Sequence, residues 1–276
     1  MVPMPSNIQK GKVPVSTVIP CYNCEATISR AVRSVAEQTQ KPHELIVIND
    51  NSQDNTCKFL KTLQAKFNKN WIKIIEFSQN KGPSSARNAG WDAATQPYVA
   101  FLDADDAWHP QKIEIQLKYM QINQDVAITG HRWHWQRGGR PLPCIPDYYT
   151  ARPISRWQML MSNSLATPTV MLKRDLDFRF NPAKRYSEDY LLWLRIICSG
   201  MKAGFINLDL AYLHKAPYGA GGMSGQLWAM ERGELENYRI LHNDKLISGP
   251  SLIALSAFSM AKYMKRVMIS KLRLIR

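Results

Sequence analysis

The chain has 276 residues, of which 45% are hydrophobic, and this is enough for a buried core in one large domain or two fused halves. Disorder is therefore excluded. A net charge of +14 indicates an anionic partner, which the composition alone does not identify among a nucleotide, a nucleic acid and a membrane surface. Five scattered cysteines are an odd number, which fits a reducing cytoplasm better than a disulfide framework.

We expect no membrane-spanning anchor at either end of this sequence. Residues 1–12 contain two prolines and no apolar core, so they do not have the pattern of a secretory signal or an anchor. The longest uncharged stretch near the other end, residues 246–261, is shorter than a membrane span and is interrupted by Gly249 and Pro250. No transmembrane helix is predicted.

Short apolar runs alternate with helical patterns in the first hundred residues. Strands are expected at residues 15–19, 44–49, 72–77 and 98–102. Helices with apolar or small-residue faces are expected around residues 28–35, 60–67 and 86–90. Alternation at this spacing predicts a parallel sheet with right-handed crossovers, so that the carboxyl ends of the four strands gather along one edge.

Acidic residues follow two of these strands. Asp50 ends the second strand, and Asp103, Asp105 and Asp106 follow the fourth. Because ligands bind beyond the carboxyl ends of parallel strands, we expect Asp50 to meet Asp103 and Asp105 there. A divalent cation would neutralise such close carboxylates, and Mg²⁺ needs only one or two of them beside substrate phosphates. Asp106 is instead expected to cap the following helix, with Pro110 in its first turn.

Four motifs occur in a specific order. They are VIPCYN at residues 18–23, INDNSQDNT at 48–56, NKG at 80–82 with ARN at 86–88, and FLDADD at 101–106. This order resembles the family 2 inverting glycosyltransferases of GT-A fold, strongly over residues 14–110 and more loosely to 225. The resemblance implies an α/β fold with a mostly parallel, Rossmann-like central sheet flanked by helices.

The resemblance also implies roles for individual residues. Asp50 corresponds to an aspartate that hydrogen-bonds the nucleotide base, the Asp103 position meets the ribose or the metal, and the Asp105 position binds a divalent metal, Mn²⁺ or Mg²⁺, on the diphosphate. Further contacts with the donor are expected from Pro20, Tyr22, Asn23, Lys81 and Arg87. Asn49 stands where a second aspartate is common in the family. This departure is minor, because the base-binding role maps best onto Asp50.

The pair Glu188-Asp189 precedes an apolar helix over residues 191–197. An acid in a first helical turn usually caps the helix. The resemblance instead implies a Glu-Asp pair here, with Asp189 as general base and Glu188 as a neighbour that holds an acceptor hydroxyl. The chemistry requires such a base, because the acceptor hydroxyl loses its proton as it attacks the anomeric carbon from the face opposite the nucleotide. The metal stabilises the departing diphosphate.

The rest of the second half is less specific. His214 stands where family members often have a Tyr-x-x-His-like element near the metal or diphosphate, although a structural histidine is the alternative. The glycine-rich residues 219–225 are a candidate lid over the donor. Trp133 and Trp157 are candidates for stacking on acceptor sugars, although buried aromatics are commoner. Residues 137–153 are expected to form an irregular loop, between strands expected at residues 126–129 and 169–173.

Two other functions are alternatives to the one that the resemblance implies. Cys21 and Cys24 lie between a strand and a helix, where a thiol redox pair would lie. A redox function leaves the four aspartates unexplained, and a zinc site lacks a second ligand pair. A nucleic-acid-binding protein would account for the positive charge, but the sequence contains no RRM, KH or helix-turn-helix pattern, and the clustered acids would repel a phosphate backbone.

The C-terminal residues 251–276 contain six basic residues and no acid. On a helix, one face would carry Lys262, Lys265, Arg266, Arg273 and Arg276, and the other would carry most of the apolar residues. A basic amphipathic helix of this kind predicts contact with an anionic membrane surface. The alternative is that the apolar face packs on the catalytic domain and the charges face solvent.

The expected organisation is an N-terminal tail over residues 1–13, a GT-A domain over 14–225 and a helical C-terminal extension over 226–276. The GT-A domain divides into a nucleotide-binding half, 14–106, and an acceptor half, 107–225. The expected activity is inverting transfer of a sugar from a nucleotide-sugar, UDP-linked by family habit, to a glycan or lipid-linked acceptor of cell-surface polysaccharide, lipopolysaccharide or glycolipid. The expected location is cytoplasmic, at the inner face of the plasma membrane, and nucleic acid is not an expected partner.

Overall fold

The computed structural model describes residues 2–3, 11–67, 69–136, 145–146, 148–214 and 226–274. The strands are β1 (Val2–Pro3), β2 (Lys12–Cys21), β3 (Lys41–Asn49), β4 (Ile72–Glu76), β5 (Tyr98–Phe101), β6 (Ala107–Trp108), β7 (Val126–Trp135), β8 (Tyr148–Tyr149), β9 (Ala151–Ile154), β10 (Met171–Lys173) and β11 (Lys202–Leu213). The helices are α1 (Ile28–Ala36), α2 (Thr56–Phe67), α3 (Gly82–Asp92), α4 (Lys112–Ile122), α5 (Arg156–Met161), α6 (Glu188–Cys198), α7 (Leu227–Asn243) and α8 (Gly249–Leu274).

A nine-stranded sheet, counted over the described residues, forms the centre of the molecule in the order β4-β3-β2-β5-β10-β7-β11-β6, with β9 paired to β11. Strands β2 to β5 pair in parallel, as the sequence predicts. Strand β10 then runs antiparallel to both β5 and β7 and joins the parallel first half to the second half. The carboxyl ends of β3 and β5 therefore lie at one edge, with β2 between them.

Alternate residues of β3 enter two different cores, because successive side chains of a strand point to opposite faces. Leu45 and Val47 pack in the core that includes the apolar residues of α1, whereas Ile46 and Ile48 pack in the core that includes Trp91 of α3. Helix α3 lies close to the sheet: a Cβ at Gly90 would lie 2.4 Å from a methyl carbon of Val18. The small residues of α3 thus let the helix pack directly against β2 and β3.

The structure corrects the expected start of the helix after the fourth strand. Helix α4 begins at Lys112 with Gln111 as its N-cap, so Pro110 precedes the helix instead of lying in its first turn. Asp106 does not cap this helix. Its carboxylate accepts a hydrogen bond from the backbone N–H of His214 at 3.2 Å. The acid therefore connects the loop after β5 to the end of β11.

The second half contains more strand than the sequence indicates. Strand β7 continues to Trp135, beyond the expected residues 126–129, and β10 is shortened because a 3₁₀ turn occupies Thr167–Thr169. Part of the expected irregular loop is strand β9, which pairs antiparallel with β11. Pro153 is tolerated there because β9 lies at the edge of the sheet. Residues 137–144 and 147 of that loop lie outside the described residues.

Lys262 and Arg266 of α8 do not face solvent, although the alternative orientation with a packed apolar face requires that they do. Lys262 and Arg266 turn toward α7, where they pair with Glu234 at 2.8 Å and with Glu231 at 2.6 Å. The opposite face exposes the apolar side chains of Ile253, Met264 and Met268, and Lys265 is exposed as well. Arg276 and the side chain of Arg273 lie outside the described part of the chain. None of the helices in that part is long and apolar enough to cross a membrane.

Candidate active site

A cleft of about 480 Å³ opens at the carboxyl ends of β2 and β3. Tyr22 is 49% exposed and lines this cleft together with Asp50 and Lys81. Lys184 and Arg185, from the segment before α6, also line it. Three basic residues around one cleft create a positive potential that favours an anionic ligand.

Asp50 holds the start of α3. Its two carboxylate oxygens accept hydrogen bonds from the backbone N–H groups of Lys81 at 2.7 Å and Gly82 at 2.8 Å. A carboxylate at a helix N-terminus is stabilised because the unpaired N–H groups and the helix dipole both favour negative charge there. Gly82 has a φ of +82°, which a residue without Cβ adopts at no steric cost. Asp50 thereby shapes the floor of the cleft.

The loops after β2 and β3 are joined by short polar side chains. Asn23, in the left-handed region with φ of +47°, accepts a hydrogen bond from the backbone N–H of Gln53 at 2.8 Å. The side chain of Asn49 accepts one from the N–H of Ser52 at 3.1 Å, which explains how asparagine serves at this position. Asn23 thus builds the cleft wall, and Pro20 lies within β2.

Arg87 of α3 connects the two halves of the site. Its buried guanidinium donates to Asp103 at 2.9 Å and to Glu188, 101 residues away in the chain, at 3.0 Å. Burial alone would lower the pKa of Arg87, but the charges of Asp103 and Glu188 raise it above its usual value. Asp50 and Asp103 are therefore both joined to α3, at its start and at its middle. The predicted donor-binding arginine contacts protein carboxylates.

Asp189 lies in the first turn of α6, after Ser187 in the left-handed conformation. One carboxylate oxygen accepts the Thr167 hydroxyl at 3.0 Å and the other accepts the N–H of Tyr190 at 2.7 Å. Burial raises the pKa of Asp189, and the charge of Arg87 opposes this rise. Burial and the Asp189 charge also raise the pKa of Glu188. A carboxylate with raised proton affinity is suited to accept a proton.

The loop after β5 brings Asp105 toward the end of β11. Arg30 of α1 donates to the backbone oxygen of Asp105. Burial and the charge of Arg30 lower the pKa of His214, and the charge of Asp105 opposes this, so both groups lie near His214. No group of three or more His, Cys, Asp or Glu side chains that could hold a metal is found among the described residues.

Of the remaining candidate residues from the sequence, the two tryptophans are exposed and the two cysteines are buried. Trp133 on β7 and Trp157 on α5 are both exposed, so neither is one of the commoner buried aromatics. The thiols of Cys21 and Cys24 are free and buried in the core beside α1. A hydrogen bond between the two thiols and burial raise the pKa of Cys21. The glycine-rich residues 219–225 lie outside the described residues.

Sequence reasoning did not find four residues that the fold brings to the site. Arg30 and Thr167 contact Asp105 and Asp189, and Lys184 and Arg185 line the cleft. They belong to no motif of the resemblance, and each lies far in the chain from the residues it joins. Periodicity assigns such residues to an element but gives no sign of a partner in another element.

Comparisons with known proteins agree with this architecture. The family model for glycosyl transferase family 2 matches residues 16–169. The Escherichia coli protein WfgD, named a UDP-Glc:alpha-D-GlcNAc-diphosphoundecaprenol beta-1,3-glucosyltransferase, is 33% identical over 196 residues, which cover 70% of this chain and 74% of WfgD.

Two solved structures share the GT-A fold of this chain. TarS of S. aureus in complex with UDP-GlcNAc has a TM-score of 0.69 and 19% identity, and the match covers 89% of this chain and 71% of TarS. The mannosyltransferase PcManGT of Pyrobaculum calidifontis, in complex with GDP-Man and Mn²⁺, has a TM-score of 0.60 and 15% identity over 98% of this chain and 84% of PcManGT. With the family match, these findings show that the chain belongs to glycosyl transferase family 2 and acts on a nucleotide sugar.

Proposed function

We propose that this glycosyltransferase moves a sugar with inversion from a UDP-sugar to a hydroxyl of a lipid-linked acceptor, with Asp189 as general base. The observation that carries the proposal is the arrangement of groups around the half-buried Asp189. It lies next to Glu188, which Arg87 joins to Asp103 at the end of β5. The Arg87 guanidinium thus connects Glu188, the neighbour of the proposed base, to the sheet edge at which the cleft opens.

The residues have separate tasks in this proposal. Tyr22, Asp50 and Lys81 bind the nucleoside end of the donor in the cleft that they line. Asp189 takes the proton of the acceptor hydroxyl as that oxygen attacks the anomeric carbon. Glu188 orients the acceptor, and Trp133 and Trp157 offer exposed aromatic faces to its sugars. The thiols of Cys21 and Cys24 have no part in the reaction.

A divalent metal, Mn²⁺ or Mg²⁺, fits the loop after β5. Asp105 is the principal proposed ligand by the family resemblance, with His214 and Asp103 beside it; Asp103 shares one oxygen with Arg87. Mg²⁺ takes only one or two protein carboxylates and completes its shell with phosphate and water, which suits this small donor set. When bound, the metal stabilises the negative charge of the departing diphosphate. The Mn²⁺ in the PcManGT complex supports this proposal.

A panel of nucleotides tests the donor. UDP, GDP, dTDP and CMP are added with Mn²⁺ or Mg²⁺, and the shift of the thermal transition is measured. UDP at about 100 times its dissociation constant is expected to add roughly 2.7 kcal/mol of stability. Transfer is then assayed from UDP-glucose to a synthetic GlcNAc-diphosphate-lipid, the acceptor type in the name of WfgD, and NMR gives the product anomer. A larger shift with GDP, or a product of retained configuration, contradicts the proposal.

The metal assignment has its own experiment. Asp105→Asn is expected to abolish nearly all transfer and the part of the UDP thermal shift that depends on Mn²⁺. Asp125→Asn is the matched control, because Asp125 lies on the surface in a pair with Lys202. Native turnover by Asp105→Asn, or an unchanged rate of the native enzyme in chelator, contradicts the assignment.

The exposed apolar face of α8 supports a peripheral location at the inner face of the plasma membrane. Ile253 is 73% exposed and Met268 is 62% exposed, and a lipid surface would cover such side chains. Lys262 and Arg266 are paired with α7, which leaves Lys265 as the exposed basic side chain among the described side chains of α8. Insertion of the apolar face therefore contributes more to the proposed binding than attraction to anionic lipid. Lipid charge is therefore expected to change the binding only modestly.

Sedimentation with anionic and neutral vesicles tests the membrane contact. Met264→Asp with Met268→Asp is expected to abolish sedimentation with both kinds of vesicle. Ile122→Asp is the matched control, since Ile122 is 65% exposed on α4. Removal of α8 is unsuitable because it would take Arg266 from the buried Glu231. Equal sedimentation of the α8 variant and the control contradicts the contact.

A further inference from the structure

Residues 184–187 form the catalytic turn, the segment that runs from the donor cleft to the Glu188-Asp189 pair, and α7 holds it along its length. The Lys184 ammonium donates to the backbone oxygen of Gly233 at 2.9 Å and to Glu236 at 2.8 Å. The Tyr186 hydroxyl donates to Gln226 at 2.7 Å. The contacts with α7 thus reach from the cleft to the residues just before the base.

The approach of α7 to this turn is unusually close. A Cβ at Gly233 would lie 2.8 Å from the backbone oxygen of Tyr186, which is closer than real Cβ contacts. One turn along the same face, the fully buried Asn237 donates its amide to the backbone oxygen of Ser187 at 3.0 Å. The other amide atom, Oδ1, has no hydrogen-bond partner among the described residues. The hydrogen bond from the Asn237 amide nitrogen to the Ser187 backbone oxygen is therefore the polar contact that this side chain makes with the turn.

Ser187 needs such support because of its conformation. It is the N-cap of α6 at φ of +54° and ψ of +32°, in the left-handed region that a residue with a Cβ enters at a cost. Unfavourable conformations of this kind persist where the surroundings over-determine them. The direction in which Glu188 and Asp189 leave the turn depends on these two angles. A relaxed Ser187 would therefore turn both carboxyl groups away from their partners.

Helix α7 is itself fixed by contacts on a second, adjacent side. The fully buried Tyr238 donates its hydroxyl to the backbone oxygen of Leu160, at the end of α5, at 2.9 Å. On α8, Arg266 pairs with the buried Glu231 and Lys262 with Glu234. The carboxamide of Asn237 thus extends from a helix that other elements hold in place. This is the arrangement required of a group that positions another.

We propose that Asn237 is a positioning residue for the general base: it holds Ser187 in the left-handed conformation that aims Asp189 at the acceptor hydroxyl. The inference rests on the proposed role of Asp189. Displacement of a reacting group by about 1 Å can cost roughly 10²-fold in rate, so loss of one hydrogen bond at this turn has a measurable effect. Lys184 keeps its contacts with Gly233 and Glu236, so nucleotide binding is independent of Asn237.

The test uses Asn237→Ala in the full-length protein, with UDP as the binding probe and transfer from UDP-glucose as the rate. We expect kcat to fall about 10- to 100-fold while the dissociation constant of UDP stays within about twofold. Asn237→Asp is the second variant. It keeps the shape of the side chain but places a carboxylate oxygen, which repels the Ser187 backbone oxygen, where the amide nitrogen donated. Asn243→Ala is the matched control, since Asn243 is an exposed asparagine on the same helix.

A double variant separates this proposal from the assignment of the base. If Asn237 acts through Asp189, Asn237→Ala adds no loss of kcat to Asp189→Asn. The positioning role would be overturned if the losses of kcat from the two substitutions multiply in the double variant. It would also be overturned if Asn237→Ala has the same kcat as Asn243→Ala, or if it weakens UDP binding as much as it lowers kcat. If Asp189→Asn keeps native kcat, the base assignment itself is wrong, and this result is independent of Asn237→Ala.

Discussion

Asp50 and Asp189 differ in what surrounds them, although both are buried or half-buried aspartates next to the first turn of a helix. Asp50 reaches α3 from another loop and uses both oxygens to accept backbone N–H groups. Asp189 belongs to the helix that it adjoins, accepts one hydroxyl and one N–H, and has a second carboxyl group as its neighbour. Neighbouring groups, and not the residue type, therefore distinguish an acid that accepts backbone N–H groups from the one that we propose as the proton acceptor.

The largest expected effect comes from Asp189→Asn. It removes the proton acceptor and is expected to lower kcat by roughly 10² to 10⁴. UDP affinity should stay near native, because the donor cleft is built by other residues. Steady-state transfer and calorimetric UDP binding measure the two quantities. Weakened UDP binding with a native kcat would move Asp189 to the donor site.

The pH dependence of kcat sharpens this assignment. Asp189 must be ionised to accept a proton, and burial raises its pKa above the usual aspartate value. The rate is therefore expected to fall as the pH decreases through this raised pKa, at a higher pH than the ordinary value of about 3.9 would give. Thr167→Val removes a hydrogen bond to the ionised form, so it should move the acid limb to still higher pH. An acid limb unchanged by Thr167→Val would contradict this view of the base.

Arg87→Met breaks the connection between the two halves of the site. It leaves Asp103 and Glu188 without their common cation, and loss of one partner of a buried pair costs about 3–5 kcal/mol of unfolding free energy. Urea denaturation measures this loss. Lys202→Met is the control, because the pair of Lys202 with Asp125 is exposed, and surface pairs contribute little to stability. Equal costs for the two variants would show that the Arg87 pairs are not what joins the halves.

Asp50→Asn is expected to have a smaller effect on stability and a specific effect on binding. A lost hydrogen bond to a charged group costs about 1.5–3 kcal/mol, and the cleft also loses its carboxylate. Asp54→Asn is the matched control, because Asp54 accepts backbone N–H groups of Glu25 and Thr56 outside the cleft. Both variants should lose stability, and Asp50→Asn alone should weaken UDP binding. Equal UDP affinity in the two would limit Asp50 to its structural task.

The smallest effect is expected from Cys21→Ser combined with Cys24→Ser. Both thiols are buried. Cys24 donates its backbone N–H to the Thr56 hydroxyl oxygen at 2.9 Å, and its sulfur accepts the Thr56 hydroxyl at 3.8 Å. Transfer activity should stay within about twofold of native, because neither thiol takes part in the reaction proposed. The assay is run with and without oxidant. A loss of activity that oxidant repairs would revive the redox interpretation.

Much of the nucleotide-binding half was predictable, because its signals are local. The run at residues 98–102 is a buried strand because apolar residues stand between Pro97 and Asp103, and β5 occupies residues 98–101. The small residues of α3 indicated a helix, but not that Gly90 lets it contact Val18 and Ile48. In the second half, β9 was missed because Pro153 and its polar neighbours match a loop pattern locally, and only pairing with β11 makes them a strand.

Helix α8 shows what periodicity leaves open. The spacing of Lys262 and Arg266 determines that they share one face, since residues four apart on a helix lie on the same side. It does not determine whether this face is buried. Glu231 and Glu234 on α7 decided that, because a buried carboxylate needs a cation and α8 supplies two.

The sequence by itself determined the alternation of strands and helices, the acids at the strand ends and the family motifs, because each depends on residues close together in the chain. Only the tertiary structure decided that Arg87 would join Asp103 to Glu188 and that Thr167 would hold Asp189. These contacts depend on how elements far apart in the chain pack against one another. A buried charge or hydroxyl finds its partner only when the packing excludes water around both.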